Sequence, residues 1–245
     1  MQRGLDMGTG RDRILVLLPG FITPARSYAA LVAPLVASDP GLRVVVPQMY
    51  RIGPSVLMGR YSVAQEASEA VGLVRGLARM GAPVWLVGHS RGGQAAWLAA
   101  GALAGRDRPA GLVLIDPVAG SGPRSAAARL PGYSDECLVI GAGIGSRCAP
   151  AALNHEQFAA AAQRRIHATV QECGHADVLA GPALHWGRWL CAGGPDPQRA
   201  RATVTALIAA HLRGELEPHL VVPGAGVDRP RLARDDRWPS AVVWN

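Results

Sequence analysis

Ser90 stands in the run Gly88-His89-Ser90-Arg91-Gly92-Gly93, which has the spacing G-x-S-x-G. A strand-like stretch precedes it and a small-residue helical stretch follows, the context this pattern requires. The turn is too tight for bulk at its flanks, so Gly88 and Gly92 let the backbone cross while Ser90 is held up in a strained conformation. A lone serine hydroxyl is a weak nucleophile. It needs a base to take its proton, an acid to orient that base, and donors for the oxyanion that attack creates.

Seven histidines could supply the base. His89 adjoins Ser90, but side chains diverge on a sharp turn, so His89 reads as a structural part of the elbow. His167 falls inside a strand pattern, His211 on a late helix and His219 in the tail. His175 follows the last core strand, in Glu172-Cys-Gly-His-Ala-Asp177, and fits the order serine, acid, histidine. His155 is the runner-up, with a capping or packing role as its plainer reading. His185, between Leu184 and Trp186, reads as buried structure.

The strand expected over 137–140 runs into Gly141-Ala-Gly-Ile-Gly-Ser146, which holds no carboxylate. One strand earlier, Gly111–Ile115 ends directly in Asp116-Pro117. Proline restricts Asp116 to an extended backbone, which aims its carboxylate from a strand tip. Asp135 and Asp177 remain as alternatives, the first at the wrong edge of the sheet, the second as a polar loop residue. The oxyanion donors are expected at the N–H groups of Phe21, in Leu18-Pro19-Gly20-Phe21, and of Arg91.

These residues need a frame. Short apolar runs at 13–18, 42–47, 83–87, 111–115, 137–140 and 166–172 read as strands buried on both faces. Helical patterns lie between or beyond them at 27–37, 61–80, 92–104, 154–163 and 199–213. Ser62 is the expected N-cap and Gly81 the stop of the clearest helix, while Pro34 spoils the second half of the first. Alternating strands and helices predict an α/β class with a mainly parallel sheet covered on both faces. The reading is one domain over 1–245, its core at 13–213 and an irregular tail at 214–245. Two apolar segments beside the site, 49–61 and 117–133, offer Tyr50, Met58, Val118, Leu130 and Tyr133 as a wall for substrate.

The chain of 245 residues is 49% hydrophobic and 18% charged, which excludes a disordered polypeptide. No apolar run is long enough to span a bilayer. The formal net charge is +7, and all 25 basic residues are arginine. They are scattered among many Ala, Gly and Pro, a coding bias of a GC-rich bacterium rather than a nucleic-acid footprint. The four cysteines have no C-x-x-C spacing, and no secretory leader is read at the start, so free thiols and a cytoplasmic setting are expected. Neither metal nor organic cofactor is called for. The 141–146 segment nears a dinucleotide fingerprint but lacks its third glycine.

Four blocks together resemble the chlorophyllase family: Gly88-His-Ser-Arg-Gly-Gly93, Ile115-Asp-Pro-Val-Ala-Gly120, Cys148-Ala-Pro150 with Asn154, His155 and Phe158, and Gly174-His175 with Asp177 and Leu179. Their order and approximate spacing match over about 13–180. The resemblance implies an α/β-hydrolase fold, with Ser90 as nucleophile, Asp116 as acid and His175 as base. It implies cleavage of the phytyl or a similar long apolar ester of a chlorophyll-type pigment. A broad carboxylesterase or polyester hydrolase, and an inactive fold that binds pigment or lipid, are the competing readings. The expected partner is a small apolar ester, with peripheral attachment to a membrane surface left open and no nucleic acid.

Overall fold

A computed structural model describes residues 4–49, 62–120, 130–150, 153–217, 219–220, 231–233 and 238–245. Six strands run parallel in the order β3 (Leu42–Val46), β2 (Arg13–Leu18), β4 (Val84–His89), β5 (Gly111–Ile115), β6 (Tyr133–Ile144) and β7 (Ala162–Gly174). Antiparallel strands extend both edges. β1 (Leu5–Met7) pairs with β3, while β8 (His219–Leu220) and β10 (Val242–Trp244) pair with β7 and β9 (Arg231–Ala233) with β10.

The central strands are continuously apolar because both sheet faces are covered. Alternate residues divide between two cores. Leu15, Leu17, Val87, Val113 and Ile115 face one layer, which holds α1 (Ala29–Ser38) and α6 (Pro197–Leu212). Ile14, Val16, Leu18, Leu112 and Leu114 face the other, built from α2 (Val63–Ala78), α3 (Arg91–Ala102) and α4 (His155–Ala161).

Ser62 caps α2 as expected, in a reciprocal box with Gln65, and Gly81 beyond its end has φ 87°. Pro34 does not end α1, which continues to Ser38. The proline lies on the exposed side, where water can satisfy the carbonyl its ring releases, while Leu31, Val32 and Leu35 are buried. The tail is less irregular than the sequence suggests, since its end supplies β10 to the sheet. A further helix, α5 (Pro182–Leu190), follows the His175 loop. No residue of α5 is buried, so it has no core stripe to announce it.

Candidate active site

β4 and α3 meet at Ser90, which has φ 55° and ψ −126°. This conformation costs an L-residue free energy and is held by its surroundings. Ser90 N donates to Ile115 O at 3.1 Å, and Ser90 O accepts from Gly93 N and Val118 N. A Cβ on Gly88 would strike Gly92, and one on Gly92 would strike Leu18. The two glycines are therefore required by close backbone passage, and the α3 amino end directs its dipole at the serine.

His175 lies on the turn after β7, with Nε2 2.9 Å from Ser90 Oγ and Nδ1 2.6 Å from Asp116 Oδ2. An ionised carboxylate only accepts, so Nδ1 carries the proton and Nε2 is left to accept from the serine hydroxyl. Asp116 Oδ1 accepts from Ala142 N at 3.2 Å. Burial pushes the Asp116 carboxyl up, but the hydrogen bond and charge of His175 outweigh it and hold the group below the ordinary carboxylate range.

Asp116 is not extended. Its φ is 38°, contrary to the restriction expected from Pro117. Aspartate tolerates this region better than most residues, and Asp116 N donates to Ile140 O while both carboxylate oxygens are engaged.

His89 is buried between the oxyanion loop and the base. Tyr28 Oη accepts from Gly20 N at 2.8 Å and meets His89 Nδ1 at 2.7 Å. His89 Nε2 faces His175 O at 2.9 Å. A carbonyl only accepts, so Nε2 carries the proton and Tyr28 donates to Nδ1. Burial, then the neighbouring His175, push the His89 pKa down to about 3. Tyr28 had no sequence signal, because only the fold brings it to the elbow.

Phe21 and Arg91, the expected oxyanion pair, line one cavity with Ser90. A Cβ on Gly20 would lie 3.3 Å from Ser90 Cβ, so this loop passes close to the nucleophile. The Arg91 side chain meets the buried Glu66 carboxylate at 2.6 Å and lies 5.3 Å from the Phe21 ring centre. Glu66 had no sequence signal either, since only the fold buries this residue of α2 beside Arg91.

The alternatives are placed elsewhere. Asp135 lies near the start of β6, where it pairs with Arg108. Asp177 is fully buried and accepts from Gly174 N at 2.7 Å and Gly194 N at 2.6 Å, so it pins the His175 turn. It is an anchor rather than a solvated loop residue. His155 Nδ1 meets His167 Nε2 at 2.8 Å, and its ring packs against Gly141. His185 is exposed, not buried, because α5 turns that face outward.

The cavity above Ser90 has a volume of about 620 Å³. Val118 lines it as expected, beside Ile22, Leu179, Trp186 and Leu190. Tyr133 does not. It opens β6 at the opposite end of the strands, is buried, and packs on Trp97 with ring centres 5.2 Å apart. Leu130 is likewise in the core. Tyr50 and Met58 lie outside the described residues.

The free-thiol expectation fails for one pair. Cys148 and Cys191 form a disulfide, while Cys137 and Cys173 are free and buried. The pairing joins the segment after β6 to the end of α5 across 43 residues of sequence. No local spacing could reveal it, and it removes free thiols as a ground for a reducing compartment.

The chlorophyllase family model matches residues 7–222. No curated protein is found to match the chain. Among solved structures, a ferulic acid esterase from Streptomyces cinnamoneus is 17% identical, with a TM-score of 0.62 over 97% of this chain and 74% of that one. MGS-MChE2, an α/β-hydrolase enzyme from a lagoon-sediment metagenome of Mar Chica, Morocco, is 18% identical, with a TM-score of 0.55 over 76% and 91% of the two chains. At such identities the likeness concerns the fold. The chain belongs to the chlorophyllase family, carboxylic ester hydrolases built on the α/β-hydrolase fold.

Proposed function

We propose that this protein is a serine ester hydrolase that acts on a large apolar ester of the chlorophyll type, releasing chlorophyllide and the long-chain alcohol. The observation that carries this reading is the chain of hydrogen bonds from Asp116 through His175 to Ser90 at the floor of an apolar cavity. Ser90 Oγ attacks the ester carbonyl while His175 Nε2 takes its proton. The N–H groups of Phe21 and Arg91 stabilise the oxyanion. His175 then returns the proton to the departing alcohol. Water, activated by the same imidazole, clears the acyl group and regenerates Ser90. Asp116 holds the tautomer throughout and stabilises the transient imidazolium.

Substrate class rests on the cavity wall. Each additional methylene removed from water contributes about 0.8 kcal/mol, so apolar walls favour bulky esters over acetate. The test compares kcat/KM for a chlorophyll-type or long-chain ester with that for a two-carbon acyl ester at matched detergent. A higher value for the large ester supports the proposal. Equal or reversed preference selects a short-chain carboxylesterase, and failure of a fluorophosphonate probe to label Ser90 selects an inactive binding fold.

A further inference from the structure

Among the described residues, six large apolar side chains are exposed, and five gather at the cavity mouth. Phe21, Ile22, Trp186 and Leu190 line it, and Trp189 meets Trp186 edge to face with ring centres 6.0 Å apart. Only Met80 lies apart. The two indoles are 66% and 76% exposed, although such rings are among the costliest side chains to leave in water.

The outward pose of α5 is enforced from several sides. Gly187 packs so closely on Ala176 that a Cβ would lie 2.5 Å from its methyl group. Arg188 bonds to Gly194 O and faces buried Asp177 at 3.5 Å. Ala180 N donates to Ser27 O just before the helix, and Cys191 is tied to Cys148 just after it. The helix therefore cannot roll its tryptophans inward without breaking these ties.

Charge identifies what covers this face. Among the described residues the cavity lining holds no carboxylate, and its exposed cation is Arg147, since Arg91 is paired with Glu66 beneath the lining. Arg26 is exposed on the 3-10 turn Ala25–Tyr28 against which α5 packs. A second copy of a chain of net charge +7 would bring like charges together at this rim. An anionic lipid surface pairs its phosphates with arginine and accepts indole rings at the headgroup boundary.

We infer that this rim docks on an anionic lipid bilayer, with Trp186 and Trp189 inserted, so that the cavity mouth opens onto the apolar phase. The inference deepens the ester-hydrolase reading by naming the phase that delivers substrate. Docking itself needs no turnover.

The experiment uses Ser90→Ala protein, sedimented with vesicles of phosphatidylcholine alone or mixed with phosphatidylglycerol. Co-sedimentation is expected with the anionic vesicles, more weakly with the zwitterionic ones. Adding Trp189→Ser should lower the partition coefficient about tenfold, and adding Met80→Ser should leave it unchanged. The inference is overturned by absence of binding to anionic vesicles, or by binding that Trp189→Ser does not weaken. It is overturned equally by a lipid-free dimer that Trp189→Ser dissolves, which would assign the rim to a second copy. Because no hydrolysis is measured, these outcomes stand apart from turnover of water-soluble esters by the Ser90 protein.

Discussion

His89, the neighbour of the nucleophile in sequence, holds the backbone of His175 through a 2.9 Å hydrogen bond from Nε2 to the carbonyl oxygen. Its other nitrogen is tied through Tyr28 to Gly20. One buried imidazole thus couples the oxyanion loop, the elbow and the turn that carries the base. His89→Phe removes both bonds while filling the space. A misplacement of about 1 Å can cost on the order of 10²-fold in rate, so kcat should fall about ten- to a hundredfold with KM little changed. An unaltered kcat would reduce His89 to packing.

Ser90→Ala should abolish turnover and fluorophosphonate labelling and leave the fold intact, since one hydroxyl is lost from an existing turn. Residual rate of roughly 10³–10⁴ over water can persist from oxyanion donors and binding alone. Labelling of the alanine variant at the wild-type rate would place the nucleophile elsewhere.

Three aspartates should separate cleanly. Asp116→Asn presents an amide to His175 Nδ1 and favours the wrong tautomer, lowering kcat by up to about 10⁴. Asp135→Asn, in an exposed pair with Arg108, should leave activity intact and stability within about 0.5 kcal/mol. Asp177→Asn weakens a buried acceptor of two backbone N–H groups and should cost about 1–3 kcal/mol of stability. Chemical denaturation beside initial rates checks all three.

Acid should destabilise the protein through its buried histidines. Burial holds the pKa of His89 and of His167 down to about 3 and that of His211 down to about 4. The unfolded values are near 6.5. Above roughly pH 6.5 both states are neutral and no penalty exists. As pH falls below that, the unfolded chain takes up protons that the folded chain refuses, until the folded values are reached. Stability is therefore lost by up to about 1.4 kcal/mol per pH unit for each such histidine. Urea midpoints should fall steadily between about pH 6.5 and 5; a flat profile would show that these imidazoles titrate normally.

Removal of the disulfide should loosen the cavity wall. The bridge closes 43 residues of sequence, for which the chain-entropy account gives about 4 kcal/mol. Cys148→Ser with Cys191→Ser should lower stability by up to that amount. It should also raise KM for a bulky ester more than for a short one, because α5 supplies Trp186 and Leu190 to the wall. Equal effects on both substrates would confine the bridge to stability.

The elbow, the central strands and the capped helix α2 were legible in the sequence because local physics dictates them. Glycines must flank a tight turn, strands buried on both faces must be apolar throughout, and a serine such as Ser62 directly before an amphipathic run caps a helix start. The candidate trio Ser90, Asp116 and His175 was legible for the same reason, since each follows a strand end and strand ends of a parallel sheet share an edge. What required tertiary structure were relationships between residues far apart in the chain. The pairing of Cys148 with Cys191, the burial of Asp177 and the Tyr28–His89–His175 network have no local signature. Tyr133 and His185 carry the same lesson in reverse. An aromatic residue after an apolar segment looks the same whether the chain turns it toward a cavity or into a core. Burial is decided by what the rest of the chain packs against it.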